Sequence, residues 1–161
     1  MAAVDYFLKL DGIDGESTDA KHKGEIQLLS FSWGEQNSGG IGSAGCGPGA
    51  GRVSFQDFHF SAQTSIASPK LMLATANGGR VRTAMLTARK AGRQSLEFLK
   101  VTLTDVLVSS YHVGEQNGDE PTDEVSLNFA RIEFSFAAQR ADGTLAAPVR
   151  AGWDLATNKT T

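Results

Sequence analysis

In VSLNFARIEFSF, Val125 to Phe136, apolar residues fall on every second position, the period of a half-buried β-strand, but the phase changes partway along. Val125, Leu127 and Phe129 share one face; beyond Ala130, Ile132, Phe134 and Phe136 take over on the other. The same one-residue slip occurs in EIQLLSFSW, Glu25 to Trp33, where Ile26 and Leu28 give way to Leu29, Phe31 and Trp33. It occurs again between Phe55 and Phe58 and between Phe98 and Leu99. A straight strand with one buried face has no use for a slip, because it sends the next apolar residues to the opposite side. Four slips therefore predict long strands that bulge or bend sharply so that each end feeds a different buried surface, as at the corners of a small barrel. A second explanation is that a neighbouring subunit covers part of the outer face.

The rest of the chain fits around these segments. Val4, Tyr6, Leu8 and Leu10 alternate with Asp5, Lys9 and Asp11, a strand that ends at turns marked by Asp11-Gly12 and Asp14-Gly15. One short helix is predicted, with Ser68 as its cap, Pro69 at the first helical position, Leu71 to Ala76 as its body and Asn77-Gly78 as its stop. Val81 to Ala88, Leu96 to Val108, Val125 to Phe136 and a segment around Leu145 to Leu155 complete about seven strands joined by Gly-, Asn- or Asp-rich connections. The order is three strands, a helix, then strands to the end. This predicts a mainly β fold: a compact antiparallel β-barrel of two sheets with one short α-helix at the side, whose closure removes sheet edges. The 161 residues make one domain, 1–161, without internal repeats.

Composition narrows the function. Hydrophobic residues at 40% and charged residues at 20% describe a chain that folds. With 15 Lys and Arg against 18 Asp and Glu, the chain has no general pull towards phosphate backbones, so nucleic acid is not an expected partner. The N-terminus has no basic and apolar leader and no run reaches the roughly 18 apolar residues of a membrane span, so neither a cleaved signal nor membrane insertion is expected. The lone Cys46 forms no internal disulfide, and no base marks it as a nucleophile.

Ser38 to Gly51 holds seven of the 18 glycines, and Gly40, Gly42 and Gly45 match the spacing of dinucleotide-binding turns. That turn works by opening a helix onto a pyrophosphate, whereas here Pro48 and a strand from Val53 follow, so no nucleotide cofactor is expected. The segment reads instead as an extended loop, 38–51, that orders against another subunit, or as a freely disordered one. His22, His59 and His112 lie in separate segments without metal-ligand spacing, so no metal is expected. Asp57 and His59 share a strand face with Ser54 nearby, but residues two apart are ordinary structural neighbours, and catalysis is not expected. The acidic stretch Glu115 to Glu124 does not fit a calcium loop and reads as solvated.

A set of segments in order resembles the haemolysin-coregulated protein (Hcp) family, whose members build the inner tube of type VI secretion. These are DYFLKLDGIDG (Asp5–Gly15), GEST (Gly15–Thr18), KGEI (Lys23–Ile26) leading to SWG (Ser32–Gly34), QDFHF (Gln56–Phe60) and ASPKL (Ala67–Leu71). RKAG (Arg89–Gly92), DVLVSSY (Asp105–Tyr111), PTDEVSLNFARIEF (Pro121–Phe134), RADG (Arg140–Gly143) and AGWD (Ala151–Asp154) follow. The resemblance covers nearly the whole chain and implies a barrel of two sheets with a helix at its side, assembling as a hexameric ring that stacks into a tube. It implies a non-enzymatic subunit, folded in the bacterial cytoplasm and secreted without a cleaved signal, whose partners are sheath and spike proteins and small effectors held in the lumen. The chain ends soon after Trp153 and Asp154, which leaves no room for an appended toxin domain and implies non-covalent cargo. Ser30 and Ser32, small polar residues opposite Leu29, Phe31 and Trp33, are the expected lumen wall; Asn37, Ser38, Ile41, Cys46 and Arg52 are the expected inter-subunit or inter-ring contacts of the loop. A phage tail-tube subunit and a monomeric β-barrel binding module are the alternatives; the second requires an aromatic-lined groove.

Overall fold

The computed structural model describes residues 3–39, 53–92 and 94–161. Its elements are β1 (Val4–Leu10), β2 (Ile26–Ser32), β3 (Glu35–Asn37), β4 (Val53–Phe55), β5 (Phe58–Gln63), α1 (Ser68–Asn77), β6 (Arg80–Lys90), β7 (Leu96–Gly114), β8 (Thr122–Phe136), β9 (Val149–Asp154) and β10 (Lys159–Thr160). The fold is mainly β with one short helix, as expected. Strands β8, β5, β2, β1, β6 and β7 pair in that order, all antiparallel, and β7 returns to β8 to close the barrel. β9 and β10 extend the sheet beyond β8, and β3 and β4 form a separate two-stranded ribbon at the base of the Gly-rich segment. The last long strand starts at Val149, later than the hydrophobicity around Leu145 suggests; Leu145 makes only an isolated bridge to Gln139.

Each phase slip has a structural cause. On β2 the register with β5 shifts between Leu28 and Ser30, so Leu29 is the extra residue of a bulge. Leu29 is 57% exposed, which corrects its assignment to the same buried set as Phe31 and Trp33. The slip after Phe55 is a break, because β4 ends there and β5 begins at Phe58. The slip at Phe98 is another bulge: Ala88 faces Leu99 while Arg89 faces Glu97.

The slip at Ala130 is a corner shared by three strands. Val81 and Ala84 on β6, Leu103 and Val106 on β7, and Phe129 and Ile132 on β8 are all buried although each pair is three residues apart. Register is the same on both sides of the row through Arg82, Asp105 and Ala130, yet both ladders skip that row. Asp105 sits there at φ 53, a left-handed conformation that turns the strand over locally. The Ala130 carbonyl, freed from the ladder, accepts a hydrogen bond from the Leu155 N–H at 2.8 Å.

The core is a single apolar cluster filled by Phe58, Leu8, Leu86, Leu103, Leu127 and Val106, all fully buried, with Phe31 stacked on Phe58 at 5.9 Å between ring centres. Helix α1 closes one side through buried Leu71 and ends at Gly78, φ 66, as expected of a glycine stop. Its start differs from expectation. Ala67 is the N-cap and no side chain caps the helix, because the Ser68 hydroxyl donates to Asp123. Asp123 also corrects the reading of its acidic stretch as solvated: β8 begins at Thr122, so Asp123 shares the inward phase of Val125 and Leu127 and is 2% exposed. Thr64 and Tyr111 hydroxyls donate to it at 2.8 and 2.9 Å, so the buried carboxylate is compensated by three hydroxyls.

A second polar network fastens the loop between β1 and β2. Arg89 on β6 forks onto both carboxylate oxygens of Asp19 at 2.9 and 2.7 Å and lies 4.9 Å over the Phe7 ring. His22 stacks on the same ring at 4.4 Å, with Glu25 at Nδ1 and Glu97 at Nε2, the latter 2.8 Å away. This loop therefore covers the outer face of β1.

Candidate functional site

The four-stranded wall of β2, β5, β8 and β7 carries a different outer surface. Directly paired residues of antiparallel strands point to the same side, so the register alone places the side chains in rows. One row runs Ser32, His59, Ser126, Ser110; the next runs Ser30, Ser61, Glu124, His112. With strands about 4.8 Å apart and about 7 Å between alternate residues, these eight positions cover a patch about 14 Å wide. Neighbours bind one another: the Ser30 and Ser61 hydroxyls are 2.6 Å apart, and His59 Nδ1 meets the Ser126 hydroxyl at 2.6 Å.

A third row completes the patch. Asp57, just before β5, accepts from the Asn128 amide at 3.1 Å and from the Ser109 hydroxyl at 2.6 Å. Ser109 reaches it because it is the extra residue of a further bulge, where the β7–β8 register shifts between Val108 and Ser110. Beneath this surface Phe58, Phe60, Val125, Leu127 and Val108 point the other way, into the core. The wall is thus apolar inside and covered outside by hydroxyl, imidazole, amide and carboxylate groups, with the partly exposed Leu107, register partner of Asn128, at the end of the third row.

Ser30 and Ser32 are both on this face and both exposed. Alternation along β2 marks these two serines but not His59, Ser61, Ser110, His112, Glu124 and Ser126, which share the face. The signal was present as polar residues at every second position of three more strands; what the sequence lacked was their pairing, which spans up to 67 residues between His59 and Ser126. Asp57 and His59 do lie on one face, but each is bonded to other partners and they form no triad with Ser54, which is on β4. Among the described residues no group of three or more His, Cys, Asp or Glu is placed to hold a metal ion.

Of the expected loop contacts, Asn37 ends β3, exposed, where its side-chain oxygen accepts from the Gly39 N–H at 2.8 Å, and Ser38 follows it on the surface. Ile41, Cys46 and Arg52, and the glycines Gly40, Gly42 and Gly45, lie outside the described residues. No helix among the described residues is long and apolar enough to cross a membrane.

Comparison with known proteins gives one consistent result. The family described as "Type VI secretion system effector, Hcp" matches residues 7–136. Protein Hcp1 of Pseudomonas aeruginosa is 42% identical over 159 residues, covering 97% of this chain and 98% of its own. A solved type six secretion system protein superposes with a TM-score of 0.92 at 30% identity, covering 99% of this chain and all of the other. The crystal structure of Hcp1 from Salmonella typhimurium gives 0.80 at 33% identity over the full length of both chains.

Proposed function

The chain belongs to the Hcp family of type VI secretion proteins, and from that premise we propose that it is the subunit of a hexameric ring that stacks into the expelled inner tube. Head-to-tail contacts that close by rotation make the ring, and contacts between ring faces lengthen it. In this arrangement the hydroxyl-rich wall lines the bore, and Ser30 and Ser32 touch small effector proteins carried there. The observation that carries the reading is the contrast across that wall, a packed apolar core on one side and a patch of short polar side chains on the other. The two rows through His59 and Glu124 offer many weak, adjustable hydrogen bonds and no large apolar anchor, which suits cargo that must be held and then released.

The segment 38–51, rooted on the β3–β4 ribbon, reaches a neighbouring subunit or ring, with Asn37, Ser38, Ile41, Cys46 and Arg52 among the contacts. The subunit folds in the bacterial cytoplasm, leaves with the apparatus, and meets sheath and spike proteins there. It works as conduit and chaperone, and not as an enzyme.

Light scattering of the purified protein, coupled to size exclusion and followed by electron microscopy, is expected to give a mass near six chains and annular particles; a monomer at every concentration would overturn the ring. In rings, Ser32→Gln is expected to abolish retention of effector cargo without changing the ring, because the longer side chain fills space over the wall. Undiminished retention by that variant would remove Ser32 from the bore.

A further inference from the structure

The charge on the wall is one-sided. Across its four strands the three rows include two carboxylates, Asp57 and Glu124, and no lysine or arginine; the nearest in register is the exposed Arg80 on β6, which lies beyond the end of the third row as the partner of Leu107. The patch continues past His112 and Glu124 into a second shallow depression lined by Glu115, Asp119 and Glu120. The basic side chains whose partners the structure shows are engaged elsewhere: Arg89 with Asp19, Arg131 with Asp154, Lys100 with Glu97, Arg82 with Asp11, Lys21 with Ser95 and Lys90 with Gln139. Glu124 is exposed and stands in the middle of its row, between Ser61 and His112.

Resting on the reading of this wall as the cargo surface, we propose that it selects cargo by charge, binding segments rich in lysine or arginine and rejecting acidic ones. Complementarity follows from the layout. Rotatable hydroxyls fit many backbones without preference, so the fixed negative groups provide the discrimination. Glu124 is the specificity-determining residue, because it is the carboxylate free to meet a ligand while Asp57 is held by Ser109 and Asn128. Repeating the wall around a ring multiplies this preference, since each subunit presents the same carboxylates.

The test uses the intact protein and two fluorescent peptides of equal length, one of alternating Lys and Ser and one of alternating Glu and Ser, followed by polarisation at low and high salt. The Lys/Ser peptide is expected to bind at least about tenfold tighter at low salt, with the advantage shrinking as salt screens it. Glu124→Lys, an exposed substitution, is expected to lower Lys/Ser binding about tenfold and raise Glu/Ser binding. Equal binding of the two peptides, or a Glu124→Lys variant that keeps the preference, overturns the proposal. The assembly reading fails separately: a monomer that still prefers Lys/Ser through Glu124 keeps the charge selection and loses the bore, whereas cargo-loaded rings indifferent to peptide charge keep the bore and lose the selection.

Discussion

Asp123 is where one side chain governs most. It ties α1, the end of β5 and β7 to β8 through three hydroxyls, and its burial is tolerable only because they are there. The contact also works on Tyr111, whose phenol is pushed above its usual range first by burial and then by the neighbouring Asp123 carboxylate. Asp123→Ala is expected to cost about 3 kcal/mol in urea unfolding and to lower the pH at which Tyr111 ionises; an unchanged midpoint would show the hydroxyls re-paired.

Asp19 and Glu97 set the acid side of stability. The Arg89 hydrogen bonds hold the Asp19 carboxyl well below the usual carboxylate range. Burial pushes Glu97 up, but His22 and Lys100 outweigh it and leave it lowered. Groups whose folded pKa is depressed contribute fully above their unfolded value and lose that contribution as pH falls below it, so the urea midpoint is expected to drop from about pH 4 downward. Asp19→Asn should flatten part of that drop and lower stability at neutral pH. An acid limb identical to that of the parent would rule the pair out. Asp123 was legible in principle, since it keeps the phase of Val125 and Leu127, but a run of acidic neighbours masks that signal.

At the scale of elements, the slips of hydrophobic phase were the most informative marks in the sequence. They located two bulges, a break and a corner, though periodicity alone does not say which is which: a bulge adds a residue to one strand, whereas the corner keeps its register and turns three strands together. Asp105 is the hinge of the corner. A β-branched residue is strained at its φ of 53, so Asp105→Val is expected to cost about 2 kcal/mol, while Asp105→Gly costs nothing or gains slightly. Thermal melts of the two variants check this; equal losses would mean that the Asp side chain matters more than the backbone. The bulge at Ser109 was not legible, because Ser109 and Ser110 are both polar and leave no apolar phase to slip. The helix cap was misread for a related reason: Ser68 is a good cap by type, but Asp123, 55 residues away, claims its hydroxyl.

For the whole molecule, the fold class could be read in advance, and the closing order could not. Closure depends on β8 pairing with β5 along its first half and with β9 along its second while β7 runs beside both halves. Partner choice of this kind is set by which faces fit in three dimensions, and the candidate site inherits the limitation: two serines of one strand were visible, and the wall they belong to appears only when four strands are laid side by side. The same arrangement makes the β7–β8 hairpin a strut. A thrust along the hairpin at one end would pass to the neighbouring strands through ladder hydrogen bonds loaded in shear, which resist together and do not peel one after another, so the barrel yields little along that axis.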